Sequence, residues 1–345
     1  MRLKTTLIAL GASTAACALA ACATTAPINA WPAVTVTAVA ETDPVGTANE
    51  DAADDPAIWR DAADPAKSLV VATDKRAGLI VYDLTGKTRF TEDSGRINNV
   101  DLADMGEQGV IVVASDRNDP AQARLGVWRL NTDEATLTKL GSVPGGEGEG
   151  YGLCVWKNGS ALQAYSVLKD GTVAEFAINV NGADVSATPL RTLRVSSQSE
   201  GCVVDPRDGT FYLGEENVGI WRFAPGATQG ELVAPIDNLQ LVADVEGLAL
   251  LPQGEKAGWL VASSQGDNAY AVYDLTNMAP VGRFRIAAGR YGSTEETDGI
   301  ELKGGSFGPD YPDGLFIAQD GMNGDRAQNF KYASWADIRD ALYSR

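Results

Sequence analysis

Hydrophobic residues occur along almost the whole chain in short runs that Gly, Asp, Asn and Pro residues separate. The runs are rich in Val, Ile, Leu and aromatic residues, and several alternate hydrophobic with polar positions, as β-strands do. Helical spacing of hydrophobic residues is almost absent before Ser334. The pattern therefore predicts an all-β protein.

The runs recur in groups of three, and six such groups follow one another. A polar residue marks the first run of each group, and the six markers are Asp54, Asp101, Tyr151, Glu200, Glu246 and Asp298. They are 47, 50, 49, 46 and 52 residues apart, which is near the length of a propeller blade. One blade cannot bury both of its faces alone, so we predict a single six-bladed β-propeller with a central channel over residues 33–345. A β-sandwich is the alternative fold.

The chain ahead of the first group also has a strand pattern, because Val and Thr alternate over residues 34–36. We predict that this strand closes the ring by pairing with the last blade, which would remove a free strand edge. A fourth, outer strand in each blade is expected to be less regular than the other three.

The first residues have the features of an export signal. Arg2 and Lys4 precede an apolar, Ala-rich stretch over residues 7–21, which is too short for a membrane-spanning helix. We therefore expect an exported protein, either a periplasmic or outer-membrane lipoprotein or a secreted protein.

The end of this stretch matches a bacterial lipobox, Leu19-Ala20-Ala21-Cys22. The match predicts a signal peptide over residues 1–21, a lipid anchor on Cys22 and a linker over residues 22–32. The alternative is an ordinary signal peptide cleaved near Ala26.

Composition excludes several kinds of chemistry. The chain contains no histidine, so it has no Ser-His-Asp triad, no phosphohistidine and no imidazole base. Cys154 and Cys202 have no companion at zinc-binding spacing, and they form either a disulfide or two buried thiols. The formal net charge of -18 argues against nucleic acid as a partner. We expect a monomer that meets a membrane only through the anchor on Cys22.

Acidic residues recur where the predicted strands meet one rim of the ring. In a propeller the first strand of each blade lines the channel, and its start lies on the same face as the end of the second strand. A single acid at a turn is commonly a cap, but recurrence in six groups indicates a metal site, and hard oxygen ligands favour several Ca²⁺ ions. The candidate ligands are Asp54, Asp55, Asp101, Glu200, Glu216, Asp244, Glu246, Gln265, Asp298 and Asp320.

Basic residues at the same rim indicate a phosphate substrate. Lys75, Arg76, Arg117 and Lys169 fall in the first three groups, where they could bind a phosphate dianion opposite the carboxylate-held ions. Bound metal would also lower the pKa of a water molecule and supply a nucleophile without histidine. The alternative is that these bases only offset neighbouring acids in surface ion pairs.

Six segments resemble the bacterial β-propeller phytases. They are residues 51–59 (DAADDPAIW), 98–101 (NNVD), 215–221 (EENVGIW), 262–266 (ASSQG), 297–300 (TDGI) and 318–321 (AQDG). The resemblance extends from about residue 41 to residue 335. It implies a calcium-dependent phosphomonoesterase of the 3-phytase type, which hydrolyses calcium-bound phytate to lower inositol phosphates and phosphate.

The resemblance also implies roles for individual residues. It places Asp54, Glu200, Glu216, Asp244, Glu246 and Asp298 around the catalytic calcium ions. The catalytic and substrate-binding residues would be Lys75, Arg76, Arg117, Tyr151, Lys169, Asp170 and Glu216, although Asp170 stands where the family has glutamate. Met322 and Gly292 stand where acids are expected for structural calcium, for which Glu41 and Asp55 remain available.

Two other functions fit a six-bladed ring that binds calcium. A calcium-dependent lactonase or esterase would give no joint role to Lys75, Arg117 and Lys169. A non-catalytic binding propeller would bind phosphate without turnover and would not need the carboxylate of Glu216 or Asp298.

Overall fold

A computed structural model of the protein describes residues 28–344 and contains six β-sheets arranged as the blades of a ring. The prediction of a six-bladed β-propeller is confirmed. Two short strands come first, β1 (Val34–Thr37) and β2 (Ala40–Glu41). The signal peptide and the lipid anchor on Cys22 were predicted outside the described residues. At the end of the predicted linker, the Trp31 N–H donates to the Leu239 carbonyl at 2.8 Å.

The first three blades each contain four consecutive antiparallel strands. Blade 1 is formed by β3 (Ala53–Trp59), β4 (Leu69–Asp74), β5 (Gly78–Asp83) and β6 (Thr88–Asp93). Blade 2 is formed by β7 (Ile97–Asp104), β8 (Val110–Asp116), β9 (Gln122–Asn131) and β10 (Thr136–Glu147). Blade 3 is formed by β11 (Gly150–Asn158), β12 (Ala161–Leu168), β13 (Thr172–Asn181) and β14 (Asp184–Arg194).

The last three blades follow the same order, with one difference at the end. Blade 4 is formed by β15 (Ser199–Val204), β16 (Phe211–Glu215), β17 (Gly219–Phe223) and β18 (Glu231–Pro235). Blade 5 is formed by β19 (Val245–Gln253), β20 (Ala257–Ser264), β21 (Ala269–Asp274) and β22 (Pro280–Ala287). Blade 6 has only β23 (Ile300–Gly304), β24 (Gly314–Asp320) and β25 (Asn329–Ser334) from its own part of the chain.

The N-terminal strands join two different blades. Strand β2 pairs antiparallel with β25, with Ala40 opposite Tyr332, and supplies the fourth strand of blade 6. Strand β1 instead runs parallel to β22 on the outer edge of blade 5, with Val34 opposite Phe284. The prediction that residues 34–36 pair with the last blade is therefore wrong, because the open edge of blade 5 takes this segment and the next strand closes the ring.

Hydrophobic side chains fill the spaces between neighbouring blades. Trp128, for example, is fully buried between blades 1 and 2. The single α-helix of the described chain, α1 (Trp335–Tyr343), packs Trp335, Ile338 and Leu342 against blades 5 and 6. No helix among residues 28–344 is long and apolar enough to cross a membrane.

Between blades 3 and 4, Cys154 and Cys202 form a disulfide with their Cα atoms 5.8 Å apart.

The first strand of five blades begins with a β-bulge, in which two residues stand opposite one on the second strand. The bulge residues are Asp54–Asp55, Asn98–Asn99, Tyr151–Gly152, Glu200–Gly201 and Glu246–Gly247. Asp298 and Gly299 occupy the corresponding place just before β23 in blade 6. The equivalent residue of blade 2 is thus Asn98 and not the predicted marker Asp101, which lies further along β7.

In blades 3 to 6 the second of these two residues is glycine, which lets neighbouring blades approach closely at the channel. A Cβ atom on Gly201 would lie 2.1 Å from the carbonyl oxygen of Glu246. The N–H of Gly247 donates to the Asp298 carbonyl at 2.8 Å, and the N–H of Gly299 donates to the Asp54 carbonyl at 3.0 Å. These contacts place the first bulge residues of the six blades around one mouth of the channel.

Candidate functional site

Asn98 connects residues from three blades across this mouth. Its Nδ2 donates to Asp54 Oδ2 at 2.8 Å and to Glu200 Oε1 at 2.7 Å. Its Oδ1 accepts a hydrogen bond from Arg117 Nη1. Asn98 received no role from the sequence, although it occupies the bulge position that carries an acid in four other blades.

Three carboxylates meet at the centre of the site. One oxygen each of Glu200, Glu216 and Glu246 lies within 4.8 Å of the other two, and all three side chains are buried. Burial and then the charge of Asp298 raise the pKa of Glu200 to about 7. Burial and then the charges of Glu200 and Asp298 raise the pKa of Glu246 well above its usual value. The positive charge near these three carboxylates is therefore too small to keep all of them ionised in their usual pH range.

One oxygen atom near this centre has unused bonding capacity. Glu246 Oε2 is buried and accepts no hydrogen bond, whereas the buried Oδ1 of Asp54 has only the ion pair with Lys75 at 3.3 Å. The charge of Asp244 also raises the pKa of both Glu216 and Glu246, after the larger effect of burial. Buried oxygens without donors, beside carboxylates of raised pKa, are suited to a hard cation such as Ca²⁺.

Lys75 provides the positive charge on the side of blades 1 and 6. Its Nζ lies 2.8 Å from Asp51 Oδ2, 3.3 Å from Asp54 Oδ1 and 2.8 Å from Asp298 Oδ2. Burial alone would lower the pKa of Lys75, but the carboxylates raise it overall. Gln265 Nε2 donates to Asp298 Oδ1 at 2.7 Å. The structure thus brings Lys75, Asp54, Gln265 and Asp298 together, as predicted.

Two cations lie against the ring of Tyr151 on the side of blades 2 and 3. Arg117 Cζ is 5.6 Å and Lys169 Nζ is 5.2 Å from the ring centroid, within the range of cation–π contacts. Arg117 Nη2 also donates to Glu149 Oε1 at 2.8 Å. Burial and then the charges of Glu200 and Glu246 raise the pKa of Tyr151. Tyr151 therefore lies between the cationic side and the carboxylate side of the site.

Two predicted substrate-binding residues make other contacts. Arg76 Nε forms an ion pair with Glu50 at 3.1 Å, and Asp170 Oδ2 forms one with Arg194 at 2.9 Å. All four of these side chains are largely exposed. The contacts of Arg76 and Asp170 therefore do not join them to the central cluster.

Asp55 and Asp101 lie deeper in the channel than the three glutamates. Asp55 Oδ2 accepts the N–H of Val100 at 3.1 Å, and Asp101 Oδ2 accepts the N–H of Val155 at 2.7 Å. Asp101 and Glu301 line a cavity of about 570 Å³ at the other mouth. The expectation that the acid of each first strand reaches one rim fails for Asp101, because it follows the bulge and projects from the middle of β7.

Asp320 belongs to a separate cluster around Lys331, which is fully buried. Lys331 Nζ lies 2.7 Å from Glu41 Oε2 and 3.0 Å from Asp320 Oδ2. It also donates to Asn329 Oδ1 at 2.9 Å and to Asn323 Oδ1 at 3.2 Å. An ammonium group therefore pairs with the carboxylate of Asp320, a predicted calcium ligand, and with that of Glu41, which the sequence left available for calcium.

Gln198 is a further residue of the site that the sequence did not indicate. Its Nε2 donates to Glu216 Oε1 at 2.8 Å and lies 3.3 Å from the hydroxyl of Tyr151. Gln198 stands two residues before Glu200, ahead of the bulge, so the repeat of polar residues at the strand starts did not include it.

Comparison with known proteins identifies the family of this chain. A family model described as Phytase matches residues 2–345. The 3-phytase of Bacillus subtilis (strain 168) is 36% identical over 327 residues, which cover 89% of this chain and 85% of the relative. A crystal structure of BBS1N in complex with ARL6DN has 10% identity and a TM-score of 0.47, and the match covers 78% of this chain and 77% of that one. By the family model and the 3-phytase, this chain belongs to the phytase family.

Proposed function

We propose that this protein is a calcium-dependent 3-phytase that hydrolyses phytate to lower inositol phosphates and phosphate. The position of Tyr151 carries the proposal. Its ring contacts Arg117 and Lys169, while its hydroxyl lies 3.3 Å from Gln198 Nε2, which donates to Glu216 of the carboxylate cluster. A phosphate group at this ring would touch cations on one side and the carboxylate cluster on the other.

The residues present fit calcium. Glu200, Glu216 and Glu246 offer oxygens within 4.8 Å of one another, the buried Oε2 of Glu246 accepts no hydrogen bond, and Asp54 lies beside them. These four residues, with Asp244 and Asp298 beside them, would hold the ions. Calcium bound there would neutralise charge on the phosphate and lower the pKa of a water molecule.

The protein's own groups bind and orient the substrate. Glu149 and Asn98 hold the guanidinium of Arg117 against Tyr151, so its orientation is fixed before substrate arrives. Lys169 approaches the same ring and adds a second charge. Hydrolysis adds water oxygen to phosphorus and breaks the bond to the inositol oxygen, which leaves as an alcohol after protonation. Arg117 and Lys169 stabilise the negative charge on the phosphoryl oxygens.

We also propose that the protein is exported and, through the lipobox, anchored by lipid on Cys22, where it acts as a monomer. The Cys154–Cys202 disulfide supports export, because such bonds persist in oxidising compartments. Metabolic labelling with a radioactive fatty acid would test the anchor. Label should enter the unmodified protein and should be absent from Cys22→Ala.

Phosphate release from phytate by the purified protein tests the proposed activity. We expect release at neutral pH with calcium and none with a chelator. Glu216→Gln should lower turnover about 100-fold without changing the circular dichroism spectrum. A folded protein that releases no phosphate under either condition would exclude the phytase activity. Equal activity of Glu216→Gln and the unmodified protein would exclude the role of that carboxylate.

A further inference from the structure

Gln198 contacts Glu216 through both its backbone and its side chain. The Glu216 N–H donates to the Gln198 carbonyl at 3.1 Å, and Gln198 Nε2 donates to Glu216 Oε1 at 2.8 Å. Two contacts between the same residues limit the positions that the Glu216 carboxylate can take. The side chain of Gln198 is half-buried, so water competes only partly for this hydrogen bond.

The same nitrogen also approaches Tyr151. Gln198 Nε2 lies 3.3 Å from the hydroxyl oxygen of Tyr151. A side-chain amide nitrogen carries two hydrogens and only donates. It can therefore hold Glu216 and Tyr151 together.

We propose that Gln198 is a positioning residue for the calcium-binding and catalytic carboxylates, acting through Glu216 and Tyr151. This proposal rests on the proposed phytase function. Gln198 uses Oε1 of Glu216, and Oε2 accepts none of the side-chain hydrogen bonds found among residues 28–344, so that oxygen is left for a cation. The neutral amide adds no charge of its own to the three glutamates.

The electrostatics of Glu216 explain why a donor is needed there. Burial raises the pKa of Glu216, the charges of Asp244 and Asp298 raise it further, and the hydrogen bond from Gln198 opposes these effects. A side chain without N–H groups would leave the carboxylate free to rotate away from its acidic neighbours. The expected consequence is weaker calcium binding and slower turnover, because groups that orient metal ligands typically contribute about 10- to 100-fold.

The test compares Gln198→Met, which keeps the length of the side chain and removes its donors, with Gln163→Met. Gln163 is also half-buried, but it lies near the start of β12 in blade 3, away from the end of that strand that leads to Lys169. Calorimetric titration without substrate should show calcium affinity about 10-fold lower or more in Gln198→Met and unchanged in Gln163→Met. In Gln198→Met, the fold decrease in turnover number should exceed the fold increase in the Michaelis constant. The melting temperature of Gln198→Met in chelator should match that of Gln163→Met.

A double-mutant cycle separates positioning from a general structural effect. In the Glu216→Gln background, Gln198→Met should change calcium affinity by less than about twofold, because the partner carboxylate is already gone. An equal loss in both backgrounds, or no loss in either, would overturn the proposal. If the unmodified protein released no phosphate from phytate, the phytase function would fail, while the calcium titrations would still decide the role of Gln198.

Discussion

The ammonium nitrogen of Lys75 in blade 1 lies 2.8 Å from a carboxylate oxygen of Asp298 in blade 6. The same nitrogen is 3.3 Å from Asp54, whose side chain is almost completely buried. One lysine thus balances carboxylates on both sides of the place where the ring closes. The charge of Lys75 is therefore expected to affect the stability of the fold as well as the site.

Lys75→Met should destabilise the calcium-free protein by about 3 kcal/mol, because it leaves buried carboxylates without their partner. Added calcium should restore most of this loss, since a bound cation replaces the missing charge. Urea unfolding at neutral pH, with calcium and with chelator, measures both effects. Lys87→Met, which removes an exposed lysine of the same blade, should change stability by less than about 0.5 kcal/mol. Equal loss in the two variants would contradict this prediction.

Glu200 should make the stability of the calcium-free protein depend on pH. Burial and the charge of Asp298 raise its pKa from 4.5 to about 7 in the folded state. The protonated group therefore contributes stability that is fully present below about pH 4.5 and is lost as the pH rises through about 7. We expect the free energy of unfolding in chelator to fall by roughly 3 kcal/mol over this range.

Calcium should remove this dependence, because it binds the ionised form. Glu200→Gln should also reduce the slope in chelator, since its amide does not titrate. Urea unfolding between about pH 5 and pH 8 provides the measurement. Equal pH dependence of the unmodified protein and Glu200→Gln in chelator would show that Glu200 titrates normally.

Gly201→Ala should disturb the junction between blades 4 and 5. The new methyl group would lie 2.1 Å from a backbone oxygen of Glu246, so a bulge must move, at a cost of about 3 kcal/mol. Calcium affinity should fall with stability, because the displaced residues carry two of the three clustered glutamates. Gly46→Ala is the control, since its nearest contact would be 3.8 Å away. Wild-type calcium affinity in Gly201→Ala would show that the bulges do not set the glutamate positions.

Lys331→Met should destabilise the protein by about 3 to 5 kcal/mol, because it leaves Glu41 and Asp320 facing each other without a buried counter-charge. Thermal and urea unfolding should both detect the loss. Lys256→Met, at an exposed position in blade 5, should have almost no effect. If the two variants were equally stable, the ammonium of Lys331 would not be needed to close the ring.

The repeating strand pattern was sufficient to predict the six-bladed ring. The outer strands of the blades and the contacts between individual side chains became clear only from the structure. The three inner strands of each blade are hydrophobic, whereas an outer strand such as β6 is largely exposed and leaves no clear hydrophobic pattern. Asp54, Glu200, Glu246 and Asp298 could be predicted because acids recur at the strand starts. Asn98 could not be predicted in this way because it is an amide, and the nearest acid in the same strand is Asp101.

Contacts between distant parts of the chain could not be predicted from spacing. The pairing of Lys331 with Glu41 and Asp320 depends on strand β2 crossing to the last blade, and the alternation at residues 34–36 equally allowed the neighbouring blade. Gln198 precedes its bulge and follows no repeat. Its role depends on its distance to Glu216, which directly follows β16, and the pairing of Ser199 with Glu215 at the ends of β15 and β16 sets that distance.

The pairing of β2 with β25 has a consequence for the order of folding. Ala40 can pair with Tyr332 only after the intervening chain, which forms the five other blades, has been synthesised. Contacts so distant in sequence form slowly, because a very long loop must close before they contribute stability. The other blades can assemble from consecutive strands as they are made, so the seam between β2 and β25 should form after them.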